Sequence, residues 1–327
     1  MMPMAAYEGR GEARPPWTRA LVTGGAGFLG PHVCARLLDE GVAVDCLDDL
    51  STGRAGSVAP LAGRRGFRFL ELDIADPAST AALTGPYDLV LHLAGPADPR
   101  DAGGPGTRTA LAVAGRDTAR FLLASSPPRL PGGAVTGGAG PAPRAGDPLD
   151  ARGGPVRFSE ALVVAHAGTH GLDAGIVRLF TGYGPGMRTD TGGDLAALVG
   201  QALAGQPVTV AGDGDRTHPL CYVDDMVDGV LRVAAGRSVR PVDIGGDEHP
   251  TTLEIARRLA DLVGHGAPPV FGGRAADGPA EPAPVTGFAR EIFGWRPRVP
   301  WPEGLARTVA AARAGSPYLS APGHLGA

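Results

Sequence analysis

Hydrophobic positions in this chain fall into short unbroken runs, each closed by glycine, serine or an acid, with amphipathic stretches between them. Arg19 to Thr23 predicts a buried strand, and Gly24 to Gly30 a turn. Pro31 to Glu40 predicts a helix with Val33, Leu37 and Leu38 on one face, ended by Gly41. Further strands are expected at Val42 to Leu47, Phe67 to Leu72, Leu89 to Leu93, Arg120 to Ala124 and Gly175 to Leu179. A helix is expected from Ser159 to Thr169. Strands alternating with helices in this order imply a parallel, doubly wound α/β sheet.

Beyond Gly182 the elements shorten. Helices are expected at Leu195 to Leu203, Val223 to Ala234 and Leu253 to Val263, with a strand at Val208 to Val210. The expected organisation is a polar leader over 1–16, a dinucleotide-binding domain over 17–180 completed by later segments, a smaller lobe over 181–314, and a loose tail over 315–327. Pro127 to Gly154 is rich in Gly, Pro and Ala and reads as a lid or a disordered loop.

Composition narrows the function classes. The 327 residues carry a formal charge of −4 and no basic run, which argues against a nucleic-acid partner. No apolar run approaches the ~20 residues of a membrane span. Cys34, Cys46 and Cys221 are scattered and lack metal spacing, so they read as reduced core thiols of a cytoplasmic protein. No metal is expected. Glycine (52) and proline (32) make up about a quarter of the chain, and all 30 basic residues are arginine. A GC-rich genome accounts for both. The absence of lysine nonetheless removes one catalytic side chain from the whole molecule.

Gly24, Gly27 and Gly30 form Gly-x-x-Gly-x-x-Gly between a strand and a helix. Gly24 suits a tight turn, Gly27 close approach of a pyrophosphate, and Gly30 close packing of helix on strand. The phosphates would sit on the free N–H groups of the helix start. Asp48, at the end of the second strand, can accept hydrogen bonds from a ribose diol and would repel a 2'-phosphate. That favours NAD over NADP.

These residues, with LDDLSTG, LHLAGPAD, FLLASS, VRLFTGYGPGM, GQPVTVAGDGDRTH and CYVDDMVDGV, resemble the extended short-chain dehydrogenase/reductase family. Within it the chain is most similar to sugar-nucleotide epimerases, dehydratases and UDP-glucuronate decarboxylases. The resemblance implies that Phe28 and Leu29 line the pyrophosphate turn and that Ser51, Thr52 and Gly53 join Asp48 at the adenosine ribose. Asp73 and Ile74 would flank adenine. Leu93, Ala94 and Pro96 would run under the nicotinamide ribose, and His92 would be a packed residue of the strand.

The resemblance also implies a catalytic Tyr-x-x-x-Lys pair, and there the match fails. Phe158 stands at the tyrosine and Leu162 at the lysine. The polarising Ser/Thr falls at Ser126, and the decarboxylases' glutamate at Pro128. Phe158, Leu162, His166 and His170 recur every four residues and share one helix stripe. Local substitutes are Ser126, Arg157, Ser159, Glu160 and His166. For a small-molecule substrate such as a sugar nucleotide, the candidates are Asp98, Arg100, Arg157, Thr181, Arg216 and His218. A closing arginine stretch of the family maps onto Glu281 to Val285, which has none. Asp224 and Asp225 read as a helix start rather than a metal pair. The helix at Thr107 to Thr118 is shorter than the family's, which puts the usual homodimer in doubt. Three readings stay open: an enzyme with altered chemistry, an inactive partner in a hetero-oligomer with an active relative, and a redox-neutral cyclase or isomerase.

Overall fold

The computed structural model describes residues 15–76, 78–94, 104–127, 153–189, 194–264, 268–272 and 282–315. The strands are β1 (Arg19–Thr23), β2 (Ala43–Asp48), β3 (Phe67–Glu71), β4 (Leu89–His92), β5 (Arg120–Ser125), β6 (Ala174–Leu179), β7 (Gly182–Tyr183), β8 (Thr209–Val210), β9 (Cys221–Tyr222), β10 (Val242–Ile244) and β11 (Val270–Phe271). The helices are α1 (Gly30–Asp39), α2 (Ala55–Val58), α3 (Ser79–Ala82), α4 (Pro105–Asp117), α5 (Gly153–His170), α6 (Asp194–Leu203), α7 (Val223–Ala235), α8 (Thr252–Val263), α9 (Gly287–Phe293) and α10 (Trp301–Arg313).

Seven strands form one sheet in the order β10-β6-β5-β4-β1-β2-β3, every pair parallel. The chain starts in the middle, winds outward through β2 and β3, then returns to the other side of β1 at β4. That reversal is a topological switch point, and the carboxyl ends of β1 and β4 open a crevice there. Central strands are buried on both faces, which is why they read as unbroken apolar runs. One face packs against α1 and α7 through Val33, Leu37, Val230 and Leu231. The other packs against α4 and α5 through Ala110, Leu111, Ala114 and Val163.

Several elements differ from the expectations, among them the short β7, β9, β11, α2, α3 and α9, which were not expected. β10 was not expected, because three residues set between Pro241 and Gly245 carry too little pattern. It adds the edge strand on β6 and so brings residues beyond 181 into the main sheet. α5 begins six residues earlier than expected, since a proline in the first turn of a helix breaks no hydrogen bond. α10, missed in the sequence, packs against α6 and α8. Residues 1–14 and 128–152, most of the expected leader and of the expected lid or loop, lie outside the described residues; Gly153 and Gly154, expected at the end of that loop, open α5 instead. Among the described residues no helix is long and apolar enough to cross a membrane.

Candidate active site

The glycine turn is built by close approach. A Cβ on Gly24, whose φ is +69°, would lie 2.5 Å from the backbone nitrogen of Ala94 and 2.7 Å from the carbonyl carbon of Leu93. A Cβ on Gly30 would overlap the backbone of Gly25. These two glycines let the turn lie on the end of β4 and α1 lie on the turn. Gly27 is different. Among the described residues, a Cβ there would meet only the Gly24 carbonyl oxygen, at 3.3 Å. Behind it, α1 starts at Gly30 with no side-chain cap, no acid in its first turn, and Pro31 early in the helix. A helix start left in this way favours an anion.

Asp48 ends β2, buried beneath the turn. Its carboxylate accepts the Ala26 N–H at 2.9 Å and the Leu50 N–H at 2.8 Å. Burial raises its pKa, against those two bonds. Two accepted bonds leave acceptor capacity on the same carboxylate. Gly53 sits directly over it: a Cβ there would be 2.5 Å from Asp48 Oδ1. Ser51 is turned onto Asp49 Oδ1, and the Thr52 carbonyl accepts from Arg188. Asp73 caps its own turn through the Ala75 N–H, and Ile74 is buried. Phe28 and His32 meet edge to face at 5.9 Å beside the turn. The residues assigned to pyrophosphate, ribose and adenine thus lie together around the mouth of β1, β2 and β3. Leu93 and Ala94 stand at the end of β4; Pro96, Asp98 and Arg100 lie outside the described residues.

Below this crevice runs a buried chain of side chains. Thr23 Oγ1 is 2.7 Å from His92 Nδ1, His92 Nε2 is 3.2 Å from Thr107 Oγ1, and Thr107 Oγ1 is 3.2 Å from Ser159 Oγ. All four residues are fully buried. They tie β1, β4, α4 and α5 together where those elements approach the crevice. Burial lowers the His92 pKa to about 4, so it is neutral at pH 7. Burial also lowers His32 and His218. An unfolded histidine titrates near 6.5. Between pH ~6.5 and ~4 these histidines therefore bind more protons in the unfolded chain than in the folded one, and the stability they contribute falls as pH falls. His92 alone contributes about 3 kcal/mol to that loss. Urea unfolding at pH 7 and pH 5 is expected to show the drop, and His92→Gln to flatten it. Equal stability at both pH values would contradict this.

Phe158 lies within α5, 40% exposed. Its ring and the Leu162 side chain both close on Gly104, at the start of α4, and the Arg108 guanidinium lies 5.8 Å from the ring centroid. Farther along the stripe the His166 and His170 rings are 5.0 Å apart. Arg157 is half-buried beside Phe158, and Ser126 follows the last residue of β5. On the far side of α5, Ser125 Oγ donates to Glu160 Oε1 at 2.6 Å, and Arg178 grips the Glu160 carboxylate through Nε at 2.9 Å and Nη2 at 2.8 Å. Glu160 stood among the sequence candidates; Ser125 and Arg178 did not, since nothing local links β5, α5 and β6.

The substrate candidates of the second half are more scattered. The Thr181 carbonyl accepts the Cys221 N–H, joining β7 to β9. Arg216 pairs with Asp194 at 3.5 Å. His218 is buried with Nε2 2.8 Å from Thr252 Oγ1, so that ring edge packs α8 rather than facing the crevice. Asp225 accepts the N–H groups of Arg298 and Val299, as a structural acid would. Among the described residues no three His, Cys, Asp or Glu side chains group to hold a metal.

A model of the NAD dependent epimerase/dehydratase family matches residues 20–245. The chain belongs to that family. Among curated relatives it is 30% identical to UDP-glucuronic acid decarboxylase 1 of Xenopus tropicalis, over 89% of this chain and 71% of that protein. It is also 30% identical to UDP-glucuronic acid decarboxylase 3 of Arabidopsis thaliana, over 89% and 87%. Its fold matches that of the UDP-glucose 4-epimerase of Thermotoga maritima, solved with UDP-glucose, with a TM-score of 0.80 and 26% identity over 91% of this chain and 99% of that one. A dTDP-glucose 4,6-dehydratase double mutant of Streptomyces venezuelae, solved with NAD bound, gives 0.75 and 27% over 90% and 97%. The epimerase/dehydratase match ends at Gly245, just past β10, so the seventh strand of the sheet belongs to it.

Proposed function

We propose that this chain binds NAD in preference to NADP and acts on a sugar nucleotide or a related biosynthetic intermediate without a Tyr-x-x-x-Lys pair. One observation carries the second half of that reading. The chain has no lysine, and the described tyrosines are committed elsewhere. Tyr87 donates to Asp45, Tyr183 donates to the Trp301 carbonyl, and Tyr222 meets Tyr183 edge to face, all three buried.

The residues present fit the dinucleotide. Gly27 leaves a cradle that a Cβ would fill, and the start of α1 offers the anion site beside it. Asp48, with Ser51, Thr52 and Gly53, would hold the adenosine ribose. Asp73 and Ile74 would hold adenine, and Leu93 and Ala94 the nicotinamide ribose. When bound, NAD supplies a two-electron acceptor at the carboxyl end of β4. The carboxylate of Asp48 disfavours a 2'-phosphate by like charge. Arg157, Thr181 and Arg216 are the substrate candidates this reading retains.

The test is a double substitution. Phe158→Tyr with Leu162→Lys is expected to raise NAD-dependent turnover of UDP-glucuronate at least tenfold, because both positions already share one face of α5 over Gly104. No gain in a variant that folds and binds NAD would show that the substrate end of the site has diverged as well.

A second reading is an inactive partner of an active relative. It is favoured by the outward face of α5, where Ala161, Val164 and Ala165 are exposed. It requires that no substrate reduce bound NAD and that the chain associate with such a relative.

A further inference from the structure

We infer that Ser125 and Glu160 form the proton-handling pair of this site, standing in for the missing tyrosine and lysine. The inference rests on the proposed NAD-dependent reading.

Position comes first. β4 and β5 are parallel with His92 opposite Leu123, so continuing that register sets Ser125 beside Ala94. Ala94 is the residue against which the Gly24 turn closes. Ser125 is thus one strand spacing, about 5 Å, from the backbone on which the dinucleotide turn rests. β6, with Arg178 opposite Ser125, flanks it on the side of the second half of the chain.

Chemistry comes second. A serine hydroxyl alone is a poor base. Here its proton is already directed at Glu160 Oε1, 2.6 Å away, which leaves the lone pairs of its oxygen as the atoms that would take up a substrate proton. Arg178 holds Glu160 by two hydrogen bonds, which fixes the orientation of the carboxylate. Asp243, opposite Arg178 on the neighbouring strand β10, accepts the Val285 N–H. This is the nucleophile–base–orienter order of a triad, with arginine as the orienter.

The step balances. A substrate carbinol loses its O–H proton to Ser125 Oγ while the Ser125 proton passes to Glu160 Oε1. The C–H bond breaks, its electron pair leaves with hydrogen to the nicotinamide dinucleotide, and a carbonyl forms. Return of the same proton and electron pair closes a redox-neutral cycle. A carboxylate is a weaker base than a phenolate, so slower turnover than in a tyrosine-based relative is expected.

The experiment uses the full chain with NAD, supplied with UDP-glucuronate and separately with UDP-glucose. It follows absorbance at 340 nm, product by chromatography, and NAD affinity by calorimetry. Wild type is expected to turn over at least one of them. Ser125→Ala should lower kcat at least ~100-fold, with KM and NAD affinity changed less than about threefold. Ser125→Thr, which keeps a hydroxyl, should recover to within about tenfold of wild type, and Glu160→Gln should match Ser125→Ala. An active wild type whose Ser125→Ala variant keeps kcat within threefold overturns the pair and leaves the wider reading standing. A fall in Ser125→Thr equal to that in Ser125→Ala, tracking a lower Tm, also overturns it. A wild type that binds NAD and turns over neither nucleotide overturns the wider reading and the pair together.

Discussion

Gly27→Ala is expected to lose dinucleotide affinity at least ~100-fold, about 2.7 kcal/mol, while the fold stays intact. Gly24→Ala and Gly30→Ala are expected to lose both. The difference is what a new methyl group would meet. At Gly27 it has one neighbour among the described residues, the Gly24 carbonyl oxygen at 3.3 Å. It therefore asks the folded chain for a shift of only a few tenths of an ångström at that oxygen, and it would occupy the place proposed for a phosphate. At Gly24 it would press on the Leu93 and Ala94 backbone from a left-handed conformation that alone costs about 1–2 kcal/mol in any residue with a Cβ. β1 and β4 are central strands and have no room to part, so the total is expected to exceed about 3 kcal/mol. Thermal unfolding with calorimetric titration of NAD separates the cases. A Gly27→Ala variant that keeps wild-type affinity would remove the pyrophosphate from this turn.

Asp225→Ala should be among the most destabilising single changes outside the crevice. The carboxylate is buried in the first turn of α7 and takes the N–H groups of Arg298 and Val299 at 2.9 and 2.8 Å. Its own carbonyl accepts Trp295 Nε1 at 2.9 Å, so one residue pins the segment between α9 and α10 to the core. Burial raises its pKa despite those bonds. Alanine leaves two donors unsatisfied at about 1–3 kcal/mol each, which predicts a loss of about 2–5 kcal/mol. Asp225→Asn keeps one acceptor oxygen and should lose less than half as much. Urea denaturation measures both, and an alanine variant within 1 kcal/mol of wild type would contradict the assignment.

The sheet was legible because each central strand is buried on both faces and each run ends in a residue with a conformational or polar task. RALVT followed by glycine, and AVDCLD followed by Asp49, state their ends in the sequence itself. β10 was not legible, since VDI owes its place to the neighbouring β6 rather than to its own pattern. The glycine turn and the acid beneath it were readable for a related reason: both are short-range features at the ends of adjacent strands. The polar interior was not. His92 was expected to be packed, but its partners Thr23 and Thr107 come from β1 and α4, and no spacing announces them. The same holds for Ser125, Glu160 and Arg178. His218 aligns with a substrate position, and its bond to Thr252, 34 residues on, is likewise announced by no spacing.

The most direct test of a live dinucleotide site with altered chemistry is to denature the purified protein and quantify released NAD+ and NADH by chromatography. The account predicts near-stoichiometric cofactor, or saturable binding when NAD is added back. No released cofactor and no binding on add-back would contradict it and leave the glycine turn as packing alone.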